Sequence, residues 1–299
     1  MMKRGFLHMT VLQAFLQGVL QGLTEFLPVS SSGHLSLFQY FTGNSGESGF
    51  LFSILLHAGT LVAVCIVFWK TIWGLIQEAF SLLRDLFTGR FDAKQMRPQR
   101  RMLLFLVLSL LPLFLMFLFK DIISSFSEDK DIVVEGFCFL ITGTLLMFAY
   151  GADKGRKKAG SMTARDALAV GGAQLFATMP GISRSGSTIT AGLLCGFDRA
   201  YAVAYSFILG IPAVLGAIVL EAKDALDAGS VGLPLSVVLV GFISSTLFGI
   251  LSIKLVQWIV KDNKLNYFGW YTLALGIAAI SVGSIDHFTG YAIQRFIAG

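Results

Sequence analysis

Polar positions are sparse along this chain, and the apolar ones gather into blocks about as long as a membrane is thick. Six segments can cross a hydrocarbon core of about 30 Å as helices: 50–69, 102–119, 132–150, 201–221, 234–256 and 268–285. Membrane barrel strands would alternate in polarity, and these segments do not. Two further segments, 10–42 and 167–198, are apolar but broken by proline, glycine and serine. Each reads as a re-entrant helix–turn–helix, whose turn must be enclosed by protein or face a wet cavity.

The two broken segments resemble each other. When Gly18 is laid on Gly171, Gln21 falls on Gln174, Ser30 on Ser183, Ser32 on Ser185 and Gly33 on Gly186, with Pro28 one place out of step with Pro180. Loop charges orient the chain. Lys70, Arg84, Arg90, Lys94, Arg97, Arg100 and Arg101 mark one cytoplasmic loop, Lys154, Arg156, Lys157, Lys158 and Arg165 a second, and Lys254, Lys261 and Lys264 a third basic end. Asp121, Glu128, Asp129 and Asp131, then Glu221, Asp224 and Asp227, mark the outside. The first broken segment then enters from outside and the second from the cytoplasm, which makes an inverted-topology repeat. Lys3 and Arg4 fall outside in this scheme, against the rule.

The expected fold is therefore an all-α polytopic membrane helix bundle. It has six spanning helices plus two re-entrant segments, in a single domain over 1–299 with repeats at about 10–150 and 167–285. Composition agrees. Of 299 residues 55% are hydrophobic and 14% charged, against about 25% charged in soluble domains, and mean hydropathy is +0.74. The net charge of +5 reads as topology and points to no nucleic-acid partner. Cys65, Cys138 and Cys195 lie in apolar stretches without metal or disulfide spacing. The first apolar run carries Gln13, Gln17, Gln21 and Glu25, so no cleavable signal is expected. Trp69, Trp73, Trp258 and Trp270 read as interfacial anchors.

The chemistry sits in the broken segments. Gln13, Gln17, Gln21 and Glu25 recur every fourth residue and form one polar stripe on a helix, suited to hydrogen bonds between helices. Glu25 is a carboxylate at membrane depth, which must be protonated, paired or bound to a metal. Ser30, Ser31, Ser32 and Gly33 suit a capped turn, and His34 beside them brings an acid/base group. In the second turn Arg184 needs an anion, and its planar fork fits phosphate. Gly181 and Gly186 let backbone approach a ligand, and Ser183, Ser185, Ser187 and Thr188 offer hydroxyls. The next helix would aim its first amides at the turn. A structural ion pair between Arg184 and Glu25 is the plain alternative. His57 and His287 have no companions that suggest chemistry. No Walker sequence or dinucleotide fingerprint appears, so ATP coupling is not expected within this chain.

Two motifs carry a resemblance. Gln21-Gly-Leu-Thr-Glu25-Phe-Leu-Pro-Val-Ser-Ser-Ser-Gly-His34 resembles the first signature of the bacterial undecaprenyl-diphosphate phosphatases, the bacitracin-resistance family. Pro180-Gly-Ile-Ser183-Arg184-Ser185-Gly-Ser-Thr188 resembles the second. The resemblance implies an inner-membrane enzyme that removes the terminal phosphate of a polyprenyl diphosphate, returning the carrier to cell-wall synthesis. It implies a periplasm-facing site with a divalent cation, Mg²⁺ or Ca²⁺, on Glu25. It makes Ser31 the nucleophile, His34 its acid/base partner and Arg184 the phosphate clamp. Attack by metal-activated water, or by His34 itself, also fits the residues. Gln21 departs from the glutamate of many members and cannot act as a base. A homodimer is compatible with this reading. The alternative function is a polyprenyl-phosphate flippase using the same anion site, since inverted repeats are a transporter architecture.

Overall fold

The computed structural model describes residues 9–42, 48–90, 92, 96–118, 132–152, 154–179, 181–227 and 233–298. Lys3, Arg4, Lys94, Asp121, Glu128, Asp129, Asp131 and Pro180 lie outside the described residues.

The first broken segment is α1 (Val11–Phe26) and α2 (Ser31–Thr42). Thr10 caps α1, and Gln13 closes a capping box with it. Gln13 thus serves its own helix end, and not a neighbouring helix as expected. Pro28 restricts Leu27 to extended backbone, and α1 stops at Phe26. The second broken segment is α7 (Ala164–Phe176), capped by Thr163, and α8 (Arg184–Leu194), capped by Ser183.

Five expected spans stand as long apolar helices. They are α5 (Pro98–Leu110), continued by a tighter turn over Leu111–Leu118, α6 (Val133–Gly151), α9 (Arg199–Asp227), α10 (Leu235–Lys261) and α11 (Asn266–Phe288). The sixth, 50–69, is α3 (Ser48–Val67). A short α12 (Ala292–Ala298) follows the last span. The chain is a multi-pass membrane protein.

Two stretches expected as loop are helical. α9 runs on through Glu221, Asp224 and Asp227, so these acids extend a helix. Within 70–101 the chain forms α4 (Trp69–Phe87), bent by 86° from α3. Its apolar side presents Trp69, Trp73, Phe80, Leu83 and Phe87 as exposed residues. On its polar side Glu78 meets Arg100 at 3.0 Å and Asp85 meets Arg100 at 2.7 Å. Those acids tie α4 to the start of α5.

Packing follows the alignment of the two broken segments. α1 lies along α10, and α7 lies along α5; α3 packs on α9, and α6 on α11. The aligned glycines Gly18 and Gly171 occupy matching crossings. A Cβ at Gly18 would fall 2.8 Å from the Gly241 carbonyl oxygen, and one at Gly171 would fall 2.3 Å from that of Ser109. Small residues let membrane helices approach this closely.

Gly171→Ala forces backbone against backbone and is expected to destabilise by about 1–3 kcal/mol. Gly172→Ala, where an added Cβ meets nothing within 4 Å, is expected to be neutral or mildly stabilising. Paired melting curves in detergent check this; equal melting temperatures would contradict the packing.

Candidate active site

Both turns are built the same way. In the first, Ser30 Oγ accepts from Gly33 N at 3.3 Å and lies 3.2 Å from Ser32 Oγ. In the second, Ser183 Oγ accepts from Gly186 N at 3.1 Å and lies 3.2 Å from Ser185 Oγ. Ser30 holds φ at 71°, a left-handed conformation that costs a non-glycine residue energy. Gly181 holds φ at 89°.

The two tips meet. Gly181 N donates to Ser32 Oγ at 3.3 Å, and Ser185 Oγ donates to the Leu27 carbonyl at 3.3 Å. A Cβ on Gly33 would lie 3.0 Å from Gly181 Cα. Arg184 Nη2 donates to Glu25 Oε1 at 2.5 Å and Arg184 Nη1 to the Gly210 carbonyl at 3.2 Å. The expected ion pair therefore forms, and it lines a cavity instead of closing one. That hollow, about 280 Å³, is walled by Glu25, Ser30, Ser31, Ser32, Ser183 and Arg184. Its other walls are Thr24, Ala177, Thr178 and Ile182, His57 from α3, and Ala213, Val214 and Ala217 from α9. Ser31 and Arg184 are the first residues of α2 and α8. Two helix N-termini and a guanidinium facing one hollow favour an anion there.

Comparison with known proteins accords with this geometry. The family model of the bacitracin resistance protein BacA matches residues 14–278. The undecaprenyl-diphosphatase of Methanosphaera stadtmanae is 41% identical over 276 residues, which is 90% of this chain and 97% of that protein. That of Alkaliphilus metalliredigens is 39% identical over 273 residues, 91% of this chain and 98% of that protein. That of Treponema denticola is 38% identical over 289 residues, covering 95% and 100%. The chain belongs to the bacitracin resistance protein family.

Within this family member the expected site residues other than Ser187 and His34 divide into three groups. Glu25, Ser30, Ser31, Ser32, Ser183 and Arg184 face the hollow. Gly33, Gly181, Ser185 and Gly186 hold the tips together or cap the second helix. Gln21 and Thr188 support the site from behind. Gln21 Nε2 donates to Glu25 Oε2 at 2.9 Å. Thr188 Oγ1 donates to the Arg184 carbonyl at 2.8 Å and lies 2.6 Å from Ser206 Oγ.

The resemblance makes His34 the acid/base partner of Ser31, but both ring nitrogens of His34 and the hydroxyl of Ser31 bond to other groups. His34 Nδ1 lies 2.7 Å from the Ser30 carbonyl, one helical turn back, and Nε2 lies 2.7 Å from Tyr271 Oη. The ring stacks on Tyr271 of α11, so it braces the turn against that helix. Ser31 Oγ donates instead to Glu25 Oε2 at 2.8 Å. The residue that sequence reasoning passed over is His57, whose Nε2 lies 3.9 Å from the same oxygen. Its signal was an ionisable side chain inside an apolar span, which marks function by default.

The expected cation can be tested against the donors. Glu25 is the one carboxylate among the described residues that line the hollow, and both its oxygens accept hydrogen bonds. No cluster of three or more His, Cys, Asp and Glu is found among the described residues. These donors do not fit a divalent ion held by protein alone.

Proposed function

We propose that this chain is an undecaprenyl-diphosphatase, which hydrolyses the terminal phosphate of undecaprenyl diphosphate to give undecaprenyl phosphate. One observation carries the reading: Ser31, Arg184 and the N-termini of α2 and α8 converge on a single hollow. Phosphoryl transfer asks mainly for positioning and for charge to meet the equatorial oxygens. Arg184 and the two sets of helix amides supply that charge. Ser31 Oγ, oriented by Glu25, is placed to attack the terminal phosphorus, and water then releases the phosphoserine. Ala213, Val214 and Ala217 give the hollow an apolar wall on α9, along which the prenyl tail would leave toward lipid.

Magnesium or calcium enters this reading as part of the substrate, bound to the diphosphate. Mg²⁺ commonly sits on substrate phosphates and keeps several of its waters. The inner membrane is the proposed location, with the hollow opening toward the periplasm, on the strength of the loop charges. A homodimer belongs to the same proposal and is read from the mass of the protein in detergent.

Hydrolysis is separable from transport. Purified protein in detergent, given undecaprenyl diphosphate, is expected to release inorganic phosphate without a sealed bilayer. Chelation should slow release by about tenfold or more, and added Mg²⁺ or Ca²⁺ should restore it. Absence of phosphate release from the folded protein would overturn the hydrolase and leave the flippase.

A further inference from the structure

One ionisable side chain in the hollow has no task in that scheme. His57 stands on α3, where it is the one basic residue of the helix, with 26% of its side chain exposed. Its Nδ1 lies 2.9 Å from the Ser53 carbonyl oxygen, one helical turn back. Ser53 Oγ lies farther from Nδ1, at 3.4 Å; a carbonyl can only accept, so the tautomer that satisfies the shorter contact has its proton on Nδ1 and a lone pair on Nε2. That lone pair looks across 3.9 Å at Glu25 Oε2. Two acceptors at that separation make no bond. Once Nε2 takes a proton, the same pair becomes imidazolium facing carboxylate.

Ser31 Oγ donates to that very oxygen. When Ser31 attacks phosphorus, its proton moves first toward Glu25 Oε2. Both Glu25 oxygens already accept other hydrogen bonds, Oε1 from Arg184 and Oε2 from Gln21. Gln21 supplies no second carboxylate. His34 is not among the residues walling the hollow, and both its nitrogens are engaged, by the Ser30 carbonyl and by Tyr271. Among the described residues lining the hollow, the ionisable groups are Glu25, Arg184 and His57, and α9 contributes only Ala213, Val214 and Ala217. Nε2 of His57 is the uncommitted base.

We propose that His57 is the proton acceptor for Ser31, with Glu25 Oε2 as the relay; this rests on the hydrolase reading above. In the first half, the Ser31 O–H bond breaks and its electron pair forms the Oγ–P bond. The bond from phosphorus to the bridging oxygen breaks, and its pair leaves on undecaprenyl phosphate. The serine proton passes through Oε2 to Nε2. In the second half, water attacks phosphorus and the Oγ–P bond breaks with its pair left on Oγ. One water proton stays on the released phosphate and the other goes to solution, while Nε2 returns its proton to Ser31. Gln21 assists by fixing the Glu25 rotamer, with its amide on Oε2.

The test uses the full chain in detergent and steady-state phosphate release. His57→Gln is expected to lose about 100-fold or more in kcat, with KM within about threefold of wild type. His57→Ala is expected to regain about tenfold when imidazole is added, because a free base can occupy the vacated space. A His57→Gln rate within about threefold of wild type would overturn the proposal, as would a loss confined to KM. An alanine variant that folds but ignores imidazole would overturn it too, and decides the matter if the glutamine variant fails to fold. Wild-type protein that releases no phosphate would instead sink the hydrolase reading itself.

Discussion

Arg184→Lys is expected to lower kcat for phosphate release by about 10³-fold. Arg184 spends one nitrogen on Glu25 Oε1 and another on the Gly210 carbonyl, which fixes the plane of its fork over the hollow. Lysine keeps the charge but supplies a single point, and cannot hold both anchors and a phosphoryl group at once. Arginines that meet transferring phosphoryl groups are worth about 10³–10⁵ in rate. The lysine change is preferred to alanine for a physical reason. Alanine would leave the Glu25 carboxylate buried without its cation, which typically costs about 3–5 kcal/mol of stability. Loss of activity would then report unfolding as much as catalysis. Phosphate release measured beside a melting curve separates the two, and a lysine variant with wild-type kcat would remove Arg184 from the mechanism.

Ser31→Ala is expected to lower kcat by at least about 10³-fold while KM stays within a few-fold. The substitution deletes the attacking oxygen but leaves Arg184 and the helix amides that bind the headgroup. Glu25 loses one donor and keeps two, so the fold is expected to hold. Brief incubation with substrate labelled in its terminal phosphate, followed by acid quench, should trap label on wild-type protein and none on the variant. Turnover by Ser31→Ala within about tenfold of wild type would hand the attack to water.

Much of this molecule is legible in the sequence because lipid is a demanding solvent. The spans at 132–150, 234–256 and 268–285 announce themselves, since a helix in hydrocarbon must be apolar all round. The two breaks are as plain, because Pro28 with three serines, and Gly181 with Ser183 and Arg184, make no sense against lipid. Their likeness pointed to one shared headgroup, and the tips do meet, through Ser32 and Gly181 and through Ser185 and Leu27.

The parts that escaped did so for specific reasons. The helix at Trp69–Phe87 hides in a charged stretch, where Arg84, Arg97 and Arg100 read as topology signals. Its period becomes visible only when Trp69, Trp73, Phe80 and Phe87 are seen on one side, with Glu78 and Asp85 turned to Arg100. The pairing of His34 with Ser31 rests on the family resemblance and on an imidazole that follows a serine cluster in the sequence. Sequence spacing says nothing of Tyr271, far along the chain, which holds the ring elsewhere. His57 is the converse case. Its polar neighbours in sequence are Ser53 and Thr60, neither of which suggests chemistry, and it reaches the site only because α3 packs across α1 near Glu25. A polar group that finds its partner through tertiary packing leaves no local pattern to read.

The central claim is that both hairpin tips grip one diphosphate. A structure with undecaprenyl methylene-diphosphonate, which cannot be cleaved at its bridge, tests it most directly. The terminal phosphonate should lie within hydrogen-bond reach of Arg184 and of the first amides of α2 together, with Ser31 Oγ facing its phosphorus. A headgroup resting on one tip alone, or seated outside the hollow, would contradict the account.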